Sequence, residues 1–263
     1  MSSVTSDTVE QPVRIAILLN SYRSRILPAI RASYERTIGA VAPEARLAFY
    51  EPANKGEFPD PAYFDLVVFG GSNVDPRKSL PWILDVHDFL RRLVIHFPEK
   101  KVLGICWGHQ TISRVFGGTV VEAAHPEMGV ATVNLTEAGR QFFPEAAALG
   151  SFQLQQHHRR EVALAPADFV PLAQGSQCLL SASNTILTFQ GHPEKDAQTA
   201  RLRMHDSLRW FGFDAALDEK AWVRLQEMMD SHHDGPAVWR RILDWVNEPP
   251  VLGTGMGDRL SRI

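Results

Sequence analysis

Two cysteines in 263 residues are too few for a disulfide framework, which excludes the small stapled scaffolds of secreted proteins. No run approaches the roughly 20 apolar residues that a membrane-spanning helix needs. Positive charge is not in excess either. The 27 Lys and Arg stand against 30 Asp and Glu, and a formal net charge of −3 leaves no footprint for nucleic acid or an anionic membrane. Met1 to Gln11 has two acids, no basic residue and no apolar core, so it resembles neither a secretory signal nor a transit peptide and is expected to be a disordered tail. No internal repeat and no phosphate-binding loop are visible. What is present, 44% hydrophobic and 22% charged residues, is enough to bury a full core as one domain or one domain with a small appendage.

The chain is organised around Lys101-Val-Leu-Gly-Ile-Cys106-Trp-Gly-His-Gln110. An apolar run stops at a cysteine flanked by Gly104 and Gly108, and helical character follows over Thr111 to Phe116. Strand, sharp turn and helix in the pattern Gly-x-Cys-x-Gly make a nucleophile elbow with sulfur in place of oxygen. The glycines leave room for the turn and for close strand–helix packing. A cysteine at the positive end of a helix is expected to favour the thiolate and so to be a nucleophile near neutral pH. Far downstream, the apolar strand of Thr185-Ile-Leu-Thr-Phe-Gln190-Gly-His192-Pro-Glu194 empties into His-Pro-Glu. His192 and Glu194, two apart in extended chain, project to the same side, and Pro193 holds the corner extended. Cys106, His192 and Glu194 thus form a nucleophile, base and orienter.

These two motifs, with Asp65-Leu-Val-Val-Phe-Gly70-Gly71 as a third, resemble the class I glutamine amidotransferase family, in particular its stand-alone, GMP-synthase-like domains. The resemblance runs from about Val13 to about Phe213. It implies an α/β fold of three layers, a flavodoxin-like, mostly parallel sheet with helices on both faces. The expected organisation is a tail over 1–11, an amidotransferase-like domain over 12–213, and a C-terminal helical extension and tail over 214–263.

In chain order, the apolar Val13–Leu19 suits a parallel strand covered on both faces. Helix is expected over Ile26–Ala40, strand over Ala45–Tyr50, strand over Asp65–Phe69 and helix over Pro81–Phe97. Gly117 to Leu135 resembles the family's sheet extension, and Thr136–Phe142 a short helix. A strand containing Cys178, read as a packed core cysteine, and a helix over Asp196–Trp210 follow. Two helices with Trp222, Leu225, Met228, Met229, Val238, Trp239, Ile242 and Trp245 at helical spacing, interrupted by Asp234-Gly-Pro236, either pack on the core or form an oligomer contact.

The resemblance also implies site roles. The oxyanion donors are the N–H groups of Gly71 and Trp107, and Gln110 contacts the bound glutamine. Around Gln156-His157-His158-Arg-Arg160, relatives carry a Ser-His-x-Asp-like stretch that gives the glutamine head a backbone contact, which makes His157 a substrate-binding candidate; here arginine stands where the acid is usual. Arg159 and Arg160 either recognise a carboxylate or are simply exposed, and the same two readings hold for Arg23 and Arg25 in the loop after the first strand. His109 is read as structural. His157-His158 and His232-His233 lack the spacing that turns two ligands toward one ion, so neither a metal nor another cofactor is expected. The implied activity is cleavage of a γ-glutamyl amide through a Cys106 thioester by an enzyme acting alone, in the manner of γ-glutamyl peptidases or accessory enzymes of specialised-metabolite pathways. The alternatives are a glutaminase subunit feeding ammonia to a separate synthetase and a non-catalytic regulatory module. A required free thiol fits a reducing, cytoplasmic setting; Ser261-Arg-Ile263 only faintly resembles a peroxisomal address.

Overall fold

A computed structural model describes residues 11–207, 219–251 and 253 of the chain. All but the last residue of the expected tail, the end of the helix expected to reach Trp210, and Ser261-Arg-Ile263 lie outside the described residues. The first half alternates strand and helix: β1 (Arg14–Leu18), α1 (Leu27–Gly39), β2 (Arg46–Tyr50), a single turn α2 (Pro52–Lys55), β3 (Leu66–Phe69), α3 (Pro81–His96), β4 (Lys101–Ile105) and α4 (Trp107–Val115). Next come β5 (Thr119–Asn134), α5 (Glu137–Phe142), β6 (Ser151–Leu164), β7 (Phe169–Pro171), β8 (Cys178–Ser181) and β9 (Ile186–Phe189). Three helices close the described chain, α6 (Ala197–Ser207), α7 (Glu219–Asp230) and α8 (Gly235–Val246).

Seven strands form one sheet in the order β2-β1-β3-β4-β9-β8-β7, parallel from β2 to β9 and antiparallel beyond. The central strands are apolar on both sides because both sides are covered. On β1, Ile15 and Ile17 pack with Tyr34 and Ile38 of α1, while Ala16 and Leu18 pack on the other face with Ile83 and Leu90 of α3 and Ile112 of α4. The period-2 alternation repeats on β3, where Leu66 and Val68 face one layer and Val67 and Phe69 the other. This is the expected three-layer α/β architecture.

The two C-terminal helices part company. Val238, Trp239, Ile242 and Trp245 of α8 enter the α1-side core, with Trp239 edge-on to Tyr34 and Trp245 Nε1 donating to Asn184 Oδ1 at 2.8 Å. Leu225 and Met229 of α7 pack instead in a separate cluster with Met128, Ala200 and Met204. No described helix is long and apolar enough to cross a membrane.

One expectation changes form. β5 does not extend the main sheet; it pairs antiparallel with β6 as a two-stranded ribbon, with a register shift between Glu122 and Glu127. Buried and exposed residues are mixed along both strands of the ribbon, which is only partly covered, unlike β3, β4 and β9, buried throughout. It touches the main sheet through the isolated bridges Leu135–Ala173 and Gln155–His192.

Because β1 sends the chain to β2 on one side and has β3 on its other, the connections leaving the two strands diverge. A crevice therefore opens at the carboxyl ends of the strands, where this topology binds ligands. Asn20, Gly71, Cys106 and His192 each follow the carboxyl end of their strand there.

Candidate active site

Cys106 holds φ 54° and ψ −102°, a conformation that L side chains rarely adopt and that costs on the order of 1–3 kcal/mol. The neighbours that enforce it are steric. A Cβ on Gly108 would lie 1.9 Å from the Phe69 carbonyl oxygen, and one on Gly104 would lie 2.6 Å from Ile112 Cδ1. Only glycine at both positions lets α4 seat against β3 and β4, and the turn between them then presents Cys106 at the first turn of α4.

His192 Nδ1 and Glu194 Oε1 lie 2.7 Å apart, both side chains buried. The loop carrying them is tied down from two directions. The His192 N–H donates to the Gln155 carbonyl of β6 at 2.9 Å, while Ser33 and Thr37 of α1 donate their hydroxyls to the Glu194 carbonyl at 2.7 and 3.0 Å. His192 Nε2 is buried with no hydrogen-bond partner among the described residues. Gly71 sits against both groups: a Cβ there would be 3.3 Å from His192 Cε1 and 3.8 Å from Cys106 Cβ. Asn20 Nδ2 donates to the Gly70 carbonyl at 3.3 Å, and since a trans peptide points its C=O and N–H in opposite directions, this bond also sets the direction of the Gly71 N–H. Trp107 begins α4, and its backbone N–H favours the thiolate form of the Cys106 sulfur.

Two clefts, with about 490 and 620 Å³ of empty space counted out to open solvent, meet at Cys106. His192, Glu194 and Gly71 line the first, and Gln110, His158, Arg159 and Arg160 line the second; Ser72, Asn73 and His157 border both. Gln110 Nε2 donates to the Arg160 carbonyl at 2.7 Å and to Gln190 Oε1 at 3.1 Å, so its amide nitrogen holds the ribbon to the sheet. The His157 carbonyl lies 3.9 Å from Cys106 Sγ, and its Nε2 is 2.8 Å from Ser207 Oγ. His158 Nε2 pairs with Glu127 Oε2 at 2.9 Å. Cys106, His192, Glu194, Gly71, Trp107, Gln110 and His157 are thus brought together in one region.

Other expectations are refined. The Arg160 guanidinium is engaged by Asp75 and Glu122 at 3.4 and 3.1 Å, so it is neither free for a ligand nor merely exposed. Arg159 is exposed at the rim of the second cleft. Arg23 and Arg25 are exposed and line neither cleft; the Arg23 guanidinium lies over the Tyr22 ring. His109 is fully buried with Nδ1 2.8 Å from Thr188 Oγ1, a packing role. Cys178 is fully buried in the core. Among the described residues, no three His, Cys, Asp or Glu side chains converge as a metal site.

The expected thiolate is corrected by burial. Loss of water pushes the Cys106 thiol up to about 11, against the pull of Lys195 and of the Trp107 N–H. A helix terminus acts with about half a charge, whereas burial moves a titrating group by up to several units, so burial wins. Burial, joined by Lys195, pushes His192 down to about 4 despite Glu194. Between those values the resting pair is a thiol and a neutral imidazole.

Two residues given no part by sequence reasoning also line the first cleft. Lys195, directly after Glu194, is 6% exposed, and burial pulls it down to about 8 against Glu194 and Cys106. Arg203 of α6 is 7% exposed and hydrogen-bonds Asn73 Oδ1. A lysine after a motif reads as a solvated residue, yet Lys195 is buried in a cleft wall it shares with Thr199 and Arg203 of α6.

Comparison with known proteins gives a consistent result. The family model described as Glutamine amidotransferase class-I matches residues 64–208. Glutamine amidotransferase-like protein chyE of Penicillium rubens is 31% identical over 239 residues, 90% of this chain and 98% of that protein. Gamma-glutamyl peptidase 2 of Arabidopsis thaliana is 32% identical over 146 residues, 53% of this chain and 58% of that protein. A solved glutamine amidotransferase of Thermotoga maritima superposes with a TM-score of 0.64 at 17% identity, over 91% of this chain and all of that one, which shows the shared fold.

Proposed function

The chain belongs to the class I glutamine amidotransferase family, and on that premise we propose that it cleaves a γ-glutamyl amide bond through a covalent thioester on Cys106, acting without a synthetase domain. The observation that carries this reading is the strained Cys106 at the start of α4, with Gly71 packed against both it and the His192–Glu194 pair.

In the resting site the thiol is protonated, so catalysis begins with His192 Nε2 taking the Cys106 proton. Sγ attacks the γ-carbonyl carbon, and the developing oxyanion accepts hydrogen bonds from the N–H groups of Gly71 and Trp107. Losing one such donor commonly costs a hundredfold or more in rate. The intermediate collapses, the C–N bond breaks, and the proton on His192 goes to the departing nitrogen. Glu194 holds the imidazole and stabilises its cationic form. Water, deprotonated by His192, then attacks the thioester carbonyl; the S–C bond breaks, glutamate leaves and the thiol is restored. An amine in place of water would give transfer instead. The free cysteines fit the reducing, cytoplasmic setting this chemistry requires.

Hydrolysis of free glutamine and of γ-glutamyl peptides by the purified chain tests the reading, with Cys106→Ala as control. Turnover of a γ-glutamyl peptide well above that of glutamine, abolished in Cys106→Ala, is expected. Cleavage of glutamine alone, rising when a synthetase is added, would make the chain an ammonia supplier. Turnover surviving in the variant would remove Cys106 from the chemistry.

A further inference from the structure

The two clefts at Cys106 are not interchangeable. A leaving nitrogen has to reach the proton on His192 Nε2, and His192 lines the first cleft and not the second. The amine half of a substrate therefore occupies the first cleft, and the γ-glutamyl half the second, against Gln110 and the ribbon. This assignment rests on Cys106 being the acylated nucleophile.

The first cleft is built for negative charge. Two buried cations, Lys195 and Arg203, stand in its wall, and the one carboxylate lining it among the described residues is Glu194, already bound to His192. No hydrogen bond or ion pair is made by the Lys195 ammonium among the described residues. Glu194 attracts the Lys195 ammonium but is shared with His192, so burial of that ammonium is only partly offset, and an anion arriving in the cleft would offset more of its cost. In the second cleft the comparable cation, Arg160, is already met by Asp75 and Glu122. A substrate releasing ammonia or a neutral amine would leave Lys195 with only the carboxylate it shares with His192.

We infer that Lys195, in the cleft wall it shares with Arg203, binds a carboxylate on the amine half of the substrate, so that the preferred substrates are γ-glutamyl amides of amino acids or peptides with a free carboxylate. Lys195 on this account is a specificity-determining residue. The competing role, a charge that only tunes the Cys106–His192 pair, would affect every substrate alike.

The test measures kcat/KM of the full chain for γ-glutamylglycine and γ-glutamylglycinamide, which differ in the terminal carboxylate, in the wild type, Lys195→Met and Lys195→Arg. The ratio of the two values is the readout, so a general loss of activity cancels. Removing one partner of a buried charge pair predicts a wild-type preference of about 30-fold or more for the carboxylate, collapsing toward unity in Lys195→Met and largely kept in Lys195→Arg. A wild-type ratio near unity, which does not depend on any variant folding, overturns the inference. So does a preference retained in Lys195→Met; in both cases cleavage itself leaves the Cys106 reading standing. If the wild type cleaves neither substrate and neither acylates Cys106, the underlying reading falls and the inference with it.

Discussion

The elbow Gly104–Gly108 and the β5–β6 ribbon both reach Cys106, yet different forces hold them. At the elbow, backbone is closely approached: a Cβ on Gly108 would lie 1.9 Å from the Phe69 carbonyl oxygen and one on Gly104 3.0 Å from the Gly108 carbonyl, and the cysteine between them is held at positive φ. On the ribbon, side chains meet side chains, with Arg160 between Asp75 and Glu122 and His158 on Glu127. A site needs both kinds of wall: the first fixes the reacting atom, and the second shapes what approaches it. Steric exclusion has no cheap alternative, whereas an ion pair with one partner at the surface, as Glu122 and Glu127 are, is worth little in either direction.

Substitutions separate the two walls. Gly108→Ala drives a Cβ into the Phe69 carbonyl and is expected to cost more than about 4 kcal/mol, read as a lost or strongly shifted urea transition. Arg160→Ala on the ribbon, with Arg77 still bound to Asp75 at 2.7 Å, is expected to cost only about 1 kcal/mol. Equal effects would erase the distinction.

Acid sharpens it next. Burial holds His192 near 4 and His109 near 3 at the sheet end, and His157 on the ribbon well below its ordinary value. With folded values below the unfolded value of about 6.5, the unfolded chain takes up protons first. Stability is therefore full above about pH 6.5 and falls as pH drops toward 4, by up to about 1.4 kcal/mol per pH unit for each such histidine. Thermal melts across this range should show Tm falling with pH, and His109→Gln should flatten the slope; a Tm independent of pH would contradict the burial account. The smallest effect is at the nucleophile itself. Glycine tolerates the Cys106 backbone where alanine does not, so Cys106→Gly is expected to be about 1 kcal/mol more stable than Cys106→Ala in chemical denaturation. The reverse order would mean that the elbow is not strained.

The same division explains what the sequence disclosed. The elbow, the His-Pro-Glu corner and the strands with their helices were legible because local sterics and period-2 or helical patterns specify them within a few residues. The ribbon was not. β5 reads as one more strand, and only its pairing with β6 in a separate ribbon shows that it leaves the main sheet. Arg160 looked like a free cation because its partners, Asp75 and Glu122, lie far away in the chain. Lys195 was passed over for the converse reason: the fold buries, in a cleft wall shared with Thr199 and Arg203 of α6, a side chain that sequence marks as solvent-facing. The thiol state depended on burial as well, and a helix-terminus argument made from sequence weighs only the smaller of the two opposing effects.

The most direct test of the central claim is to acid-quench the protein during turnover of a γ-glutamyl peptide and map the peptide carrying Cys106 by mass spectrometry. The account predicts one added γ-glutamyl group on Cys106, labile to hydroxylamine and absent in Cys106→Ala. Turnover with no acyl group on Cys106 under any quench, and undiminished in Cys106→Ala, would contradict it.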